Sequence, residues 1–297
     1  MALRFQQHPG LVVYLTAGDA GLSPSQPAHS NGAGADLSVT REIALAAIDA
    51  GADVIELGVP FSDPLADGPV IQRASERALA RGTRLRDVLA LAGELRDARP
   101  EAGLVIFSYL NPILRFGLKK FADAASEAGV DGVLITDMIV EEAGEYIAEM
   151  ERANLAPIFL AAPTSPDERL RAIAAHSKGF IYAISRTGIT GQQQNVAADA
   201  AALVARIRRF TEHKDGYQDG TGDDADWPKL PVAVGFGISN ADHVAEVAKF
   251  ADAAVIGSAI VELIERSTEE QAPGAVARFI RGLFTQGLRQ PVEVQAL

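Results

Sequence analysis

Short runs of apolar and β-branched residues alternate with longer stretches of helical spacing along the chain. Strand-length runs stand at 11–16 (LVVYLT), 52–58, 103–108 (GLVIFS), 131–136 (DGVLIT), 156–160 (APIFL), 179–184 (GFIYAI), 231–235 (PVAVG) and 253–256 (AAVI). Between them, apolar positions recur every three to four residues over 39–50, 74–98, 117–128, 141–153, 167–176, 197–211, 240–250 and 272–288, which predicts amphipathic helices. Thr40 stands where the first helix needs an N-cap, and Gly51 where it stops. Strands that alternate with helices pair in parallel through right-handed crossovers. Eight such units in 297 residues predict an α/β fold, a closed (β/α)8 TIM barrel forming one domain over 1–297. The competing arrangement is an open doubly wound sheet. It is suggested by Gly235-Phe236-Gly237-Ile238-Ser239-Asn240, which follows a strand and opens a helix as a dinucleotide fingerprint does. Against it, Asn240 replaces the third glycine and the motif lies near the end of the chain.

Two segments interrupt the pattern and read as loop insertions. Residues 23–37 hold Pro, Ser, Gly and Ala with almost no large apolar side chain, and residues 212–228 carry six acidic residues and one lysine. In a barrel the first joins a strand to a helix on the catalytic face, whereas the second joins a helix to a strand on the opposite face.

Composition narrows the function classes. A net charge of -12, with no basic stretch interleaved with aromatics, opposes binding to nucleic acid. No uninterrupted apolar run reaches the ~18 residues of a membrane span, and none of signal-peptide length opens the chain, so no membrane association is expected. The absence of cysteine excludes disulfides and thiolate chemistry and fits a cytoplasmic address. His8, His29, His176, His213 and His243 are scattered without ligand spacing, so no metal is expected.

Residues at the C-terminal ends of barrel strands converge on one pocket, which makes Tyr14, Asp19, Glu56, Asp63, Asp67, Tyr109, Asn111, Asp137 and Tyr182 the candidates for chemistry. Glu56 interrupts an otherwise apolar run that would normally exclude a carboxylate. It is either a proton-transfer group or a strand-end acid satisfied by backbone donors. Asp63 and Asp67 stand beside Pro and Gly, where aspartate also serves ordinary turn chemistry. Three glycine-containing turns, at 187–191, 235–237 and 256–258, follow the last three strands, with Ser258 in place to cap a short helix at 259–265. Converging N–H groups there suit a phosphate, although each glycine alone would also serve a tight turn.

The run Glu56-Leu57-Gly58-Val59-Pro60-Phe61-Ser62-Asp63-Pro64-Leu65-Ala66-Asp67-Gly68-Pro69 resembles the signature of the tryptophan synthase alpha chain family. Supporting matches are Leu15-Thr16-Ala17-Gly18-Asp19, Tyr109-Leu110-Asn111-Pro112, Ser185-Arg186-Thr187-Gly188-Ile189-Thr190-Gly191, Gly235-Phe236-Gly237 and Gly257-Ser258-Ala259. The resemblance implies a lyase that cleaves indole-3-glycerol phosphate to indole and glyceraldehyde 3-phosphate by retro-aldol chemistry. By the same resemblance, Glu56 shuttles protons and Asp67, ionised in a solvated loop, hydrogen-bonds the indole N–H. Tyr14, Phe107, Tyr109, Leu134, Tyr182 and Phe236 line the indole slot, and Gly191, Gly237, Gly257 and Ser258 hold the phosphate. Residues 186–198 form a lid whose Thr190 steadies Asp67. The family also implies a beta chain partner in an alpha2beta2 heterotetramer, docked around residues 59–69. It implies no cofactor in this chain, since pyridoxal phosphate belongs to the partner. Two other functions fit the same residues: a stand-alone lyase, and a catalytically silent phosphate-binding barrel that activates a beta chain.

Overall fold

The computed structural model describes residues 3–22, 35–184, 193–211, 230–235, 237–284 and 290–291. Strands β1 (Gly10–Thr16), β2 (Val54–Gly58), β3 (Gly103–Ser108), β4 (Gly132–Ile135), β5 (Ala156–Ile158, resuming as Leu160–Ala161), β6 (Ile181–Ile184), β7 (Val232–Gly235) and β8 (Ala253–Ile256) pair in parallel in chain order. β8 returns to β1, with Ala253 opposite Gly10. The two ends of the sheet are the two pieces of β5, one paired to β4 and the other to β6, parted only at Phe159. No edge is left free, so the barrel is closed and the open doubly wound sheet is excluded. Asn240, where a dinucleotide fingerprint would have glycine, caps helix α9 (Ala241–Val247): its side-chain oxygen accepts the His243 N–H at 2.9 Å.

The remaining helices are α1 (Ser38–Ala50), α2 (Pro69–Ala80), α3 (Leu85–Ala98), α4 (Leu110–Phe116), α5 (Leu118–Glu127), α6 (Gly144–Arg152), α7 (Asp167–His176), α8 (Gln193–Thr211), α10 (Ser258–Glu265) and α11 (Ala272–Leu283). Several boundaries differ from the sequence pattern. The single helix expected over 74–98 is two, parted where Gly82 takes a φ of 81°, and the first begins earlier, at Pro69. Helix α4 was hidden by Pro112, which is tolerated because it falls in the first turn. Thr40 is not a cap. Helix α1 starts before it, and its hydroxyl accepts the Gly18 N–H at 3.0 Å, tying the loop after β1 to that helix. Ser258 is likewise the first helical residue of α10, with Gly257 in the cap position and no side-chain cap bond. Helices α9 and α11 end at Val247 and Leu283, short of the expected limits. Residues 23–34 of the first insertion and all of 212–228 lie outside the described residues.

Alternation along the strands builds two concentric cores. Leu11, Val13, Leu15, Ile55 and Leu57 face outward against the helices, while Val12, Val54, Val105, Leu134, Ile158, Phe180, Ala233 and Val255 face the barrel axis. The N-terminal segment plugs the lower end of that inner core: Leu3 joins it, and the Phe5 and Phe180 rings lie 6.0 Å apart. At this same end, Asp53, Asp131 and Asp252 precede β2, β4 and β8. Their carboxylates accept the N–H groups of Leu11 (2.8 Å), Leu104 (2.9 Å) and Val232 (2.9 Å) on the neighbouring strands. The lower rim is thereby stapled pairwise, which leaves the upper, C-terminal rim for chemistry.

Candidate active site

Glu56 is two residues beyond Val54 on β2, so it points to the barrel axis one layer nearer the upper rim. Its register partners are Tyr14 on β1 and Val105 on β3. The side chain is 0% exposed, and neither carboxylate oxygen has a hydrogen-bond partner among the described residues. The reading of Glu56 as an acid satisfied by backbone donors is therefore set aside. Burial pushes its pKa up to about 8, so near neutrality it holds a proton that it can still release.

Aromatic and apolar side chains enclose this carboxyl. The Tyr14 and Phe107 rings meet edge to face at 5.0 Å and 74°, and Phe107 stands in register with Leu134. Tyr182 projects from β6 within the electrostatic reach of Glu56, Tyr14 and Asp67, and burial, followed by those neighbours, keeps its hydroxyl protonated. Burial does the same to Tyr14, with the Asp67 carboxylate as the next cause. Gly58 is what lets the Tyr14 ring lie across β2: a Cβ at this position would stand 2.3 Å from the Tyr14 hydroxyl oxygen. Tyr14, Phe107, Leu134 and Tyr182 thus sit around Glu56 as an apolar slot. A groove of about 530 Å³ lined by Gln7, Asp49, Asp53 and Arg99 lies at the opposite face and holds none of these side chains.

Asp67 is held by the rim loop between β2 and α2. Its N–H donates to the Pro64 carbonyl at 3.0 Å, and its own carbonyl accepts from the Gln72 side chain at 2.9 Å. The Tyr109 hydroxyl accepts the Ala66 N–H at 3.0 Å and lies beside the Asp67 carboxylate, favouring its ionised form. Burial pushes the Asp67 pKa up to about 6, with the Tyr109 hydrogen bond opposing it. Asp67 is more exposed than Glu56 yet partly desolvated, and it is mostly ionised at neutral pH. Tyr109, read from sequence as a wall of the slot, is also the partner of Asp67, and no spacing in the chain announces a contact between residues so far apart in sequence. Its ring packs against Phe61 at 5.2 Å.

Other rim acids have plain structural duties. Asp63 is exposed and takes a hydrogen bond from the Ser62 hydroxyl at 2.6 Å. Asp137 accepts the Leu110 N–H at 2.7 Å at the start of α4, where Asn111 also lies. Asp19 is 2% exposed and is forked by Arg77.

On the other side of β1 from Glu56, α10 begins at Ser258 directly after Gly257, and a Cβ at Gly257 would be 3.5 Å from Tyr14 Cβ. The first N–H groups of that helix therefore open beside the slot, as anion binding requires. Gly237 follows β7 with a φ of 76° and open space above its Cα. Phe236, Gly191 and Thr190 lie outside the described residues, as does the expected lid from 186 to 192, whereas 193–198 form the opening of α8. Among the described residues no cluster of three or more His, Cys, Asp or Glu has the arrangement of a metal site.

A carboxyl primed for proton transfer, an apolar slot, a second carboxylate at the rim and a helix N-terminus across β1 define a site for a ligand with a flat apolar end and an anionic end. The family model described as "Tryptophan synthase alpha chain" matches residues 1–217 and 224–283. The tryptophan synthase alpha chain of Solibacter usitatus is 44% identical over 270 residues, covering 91% of this chain and 89% of the relative. That of Cupriavidus metallidurans is 43% identical over 279 residues, covering 94% and 93%. Among solved structures, the alpha subunit of tryptophan synthase from Legionella pneumophila superposes with a TM-score of 0.76 at 32% identity, covering 93% and 92% of the two chains. A chain of the tryptophan synthase complex from Pyrococcus furiosus does so with a TM-score of 0.75 at 33% identity, covering 94% and 99%.

Proposed function

The chain belongs to the tryptophan synthase alpha chain family, and from that premise we propose how its own residues cleave indole-3-glycerol phosphate to indole and glyceraldehyde 3-phosphate. The observation that carries the reading is Glu56, a fully buried carboxyl inside an apolar slot with no hydrogen-bond partner among the described residues, its pKa raised by burial. With the indole in that slot, Glu56 gives its proton to the ring carbon bearing the glycerol chain. The Asp67 carboxylate accepts the ring N–H and stabilises the positive charge that develops there. Glu56, now a carboxylate, takes the proton of the adjacent glycerol hydroxyl. The carbon–carbon bond then breaks, its electrons return to the ring, and the hydroxyl carbon becomes the aldehyde. One residue serves both steps because its pKa is close to neutral in the folded protein. Gly237, Gly257 and Ser258, with Gly191, hold the phosphate, and Phe236 completes the slot. Closure of 186–198 brings Thr190 to Asp67 and excludes water.

The reaction needs no cofactor in this chain. Pyridoxal phosphate is expected in a beta chain, and the assembly in an alpha2beta2 heterotetramer in the cytoplasm, with the whole chain acting as one catalytic domain. Exposed apolar side chains support a partner over a stand-alone lyase. Leu65, 95% exposed, Leu114, 55%, and Ile139, 42%, follow β2, β3 and β4 in turn on the upper side of the barrel. No helix among the described residues is long and apolar enough to cross a membrane.

The test is release of glyceraldehyde 3-phosphate from indole-3-glycerol phosphate by the purified chain, alone and with a tryptophan synthase beta chain. Slow turnover alone and faster turnover with the partner is the expected result. High turnover without any partner would instead identify a stand-alone lyase, and none in either condition a silent activator.

A further inference from the structure

The two halves of the site are carried by two short helices that meet above β1. Helix α2 begins two residues after Asp67, and helix α10 begins at the anion-binding end, Ser258. They meet over Tyr14 through Ala74, with Val70 and Ile71, on α2 and Val261 on α10.

Ion pairs also bridge the two helices. Arg77 on α2 forks Asp19, with Nε to Oδ1 at 2.8 Å and Nη2 to Oδ2 at 2.9 Å, and its Nη1 donates to Glu265 Oε1 at 2.8 Å. Glu265 is the last residue of α10, and Arg73, one turn before Arg77, forks it with two contacts of 2.7 Å. The Asp19 side chain is 1% exposed, held in the loop after β1, and that loop is fastened to the end of α10 by the Leu22 N–H on the Ser267 carbonyl at 3.1 Å. A forked arginine–carboxylate pair fixes orientation as well as distance, which a lysine does not reproduce.

We propose that Arg77 is a positioning residue: through Asp19 and Glu265 it locks α2 and α10 in one register and so sets the span between Asp67 and the phosphate-holding end at Gly257 and Ser258. The proposal rests on the reading of that end as the phosphate site. Arg77 touches no substrate; it determines whether a ligand that fills the anion end also meets the carboxylates.

Arg77→Lys tests this, with Arg99→Lys as control, because Arg99 makes an equally well-formed fork with Asp49 at the opposite face. Calorimetric affinity for glycerol 3-phosphate, kcat and KM with the beta chain present, and Tm are measured for each. In Arg77→Lys, held at a temperature where calorimetry shows it fully folded, kcat/KM falls roughly a hundredfold, as expected for ångström-scale misplacement of reacting groups. Glycerol 3-phosphate affinity, which involves only one helix, changes far less. Arg99→Lys keeps all values. A folded Arg77→Lys with unchanged kcat/KM, or one in which only Tm moves, overturns the proposal. Should Arg77→Lys not fold, Glu265→Gln takes its place: a comparable fall in kcat/KM supports the proposal, and an unchanged kcat/KM overturns it. If the unaltered protein fails to bind glycerol 3-phosphate, the phosphate reading itself falls and the proposal with it. That result is distinct from normal binding with an indifferent Arg77.

Discussion

The Tyr109 hydroxyl accepts the Ala66 N–H at 3.0 Å and faces the neighbouring Asp67 carboxylate, whose ionised form it favours. One phenol thus holds the backbone of the rim loop and favours the charge that loop carries. Its hydrogen bond opposes burial and keeps the Asp67 pKa from rising beyond about 6. The proposed mechanism requires ionised Asp67 and, at its start, protonated Glu56, whose pKa burial places at about 8. The dependence of kcat/KM on pH is therefore a bell with an acid limb near 6 and an alkaline limb near 8. In Tyr109→Phe the stabilisation of the ionised form is lost, so the acid limb moves to higher pH while the alkaline limb stays. A profile measured from pH 5 to 9 in both proteins checks it, and an unmoved acid limb would contradict the assignment.

Glu56→Gln separates catalysis from stability. Turnover falls by a thousandfold or more, since the proposed proton donor and acceptor at the ring carbon is gone, in keeping with the ~10²–10⁴-fold contribution of each acid–base step. Stability moves the other way. Burial raises the folded-state pKa from 4.5 to about 8, so the unfolded chain releases this proton first as pH rises. The contribution of Glu56 is complete below pH 4.5 and is lost as pH climbs through about 8, at up to roughly 1.4 kcal/mol per unit. Urea unfolding at pH 5 and pH 8 checks it: the excess stability of the glutamine variant grows toward pH 8.

Gly58→Ala places a methyl where the Tyr14 hydroxyl now lies. The ring must move, and with it the edge contact to Phe107 and the wall beside Glu56. The expected outcome is a fall in kcat/KM of about a hundredfold with the fold retained. Circular dichroism alongside the aldehyde-release assay distinguishes this from unfolding.

Asp131→Ala removes a staple at the other rim. The carboxylate there accepts the Leu104 N–H at 2.9 Å and pairs with Arg96 at 2.6 Å, and the residue is 5% exposed. Loss of a buried charged partner costs about 3 kcal/mol, which lowers Tm by several degrees. Because the lower rim takes no part in the chemistry, kcat/KM at 25 °C is unchanged.

The barrel was legible in the chain because its two periods differ so clearly: runs such as LVVYLT and GLVIFS cannot be read as helices of comparable length, and their order dictates parallel pairing. Helix limits were less so. Gly82 breaks a pattern whose apolar spacing continues across it, and Pro112 conceals a helix that its first-turn position permits. Glu56 was visible as an acid in an apolar run, but the emptiness of its hydrogen-bonding surroundings is a three-dimensional fact. Thr40, Tyr109 and Arg77 show why the rest was hidden. Their partners are Gly18, Asp67 and Asp19, brought together by the closure of the barrel and by no local pattern.

Leu3 and Phe5 cork one end of the axis. What the strands enclose is therefore a cul-de-sac, open only toward the upper rim, where Leu65, Leu114 and Ile139 stand exposed after successive strands. A partner seated on these side chains would stand at the single doorway, and the direction in which indole departs would be decided there.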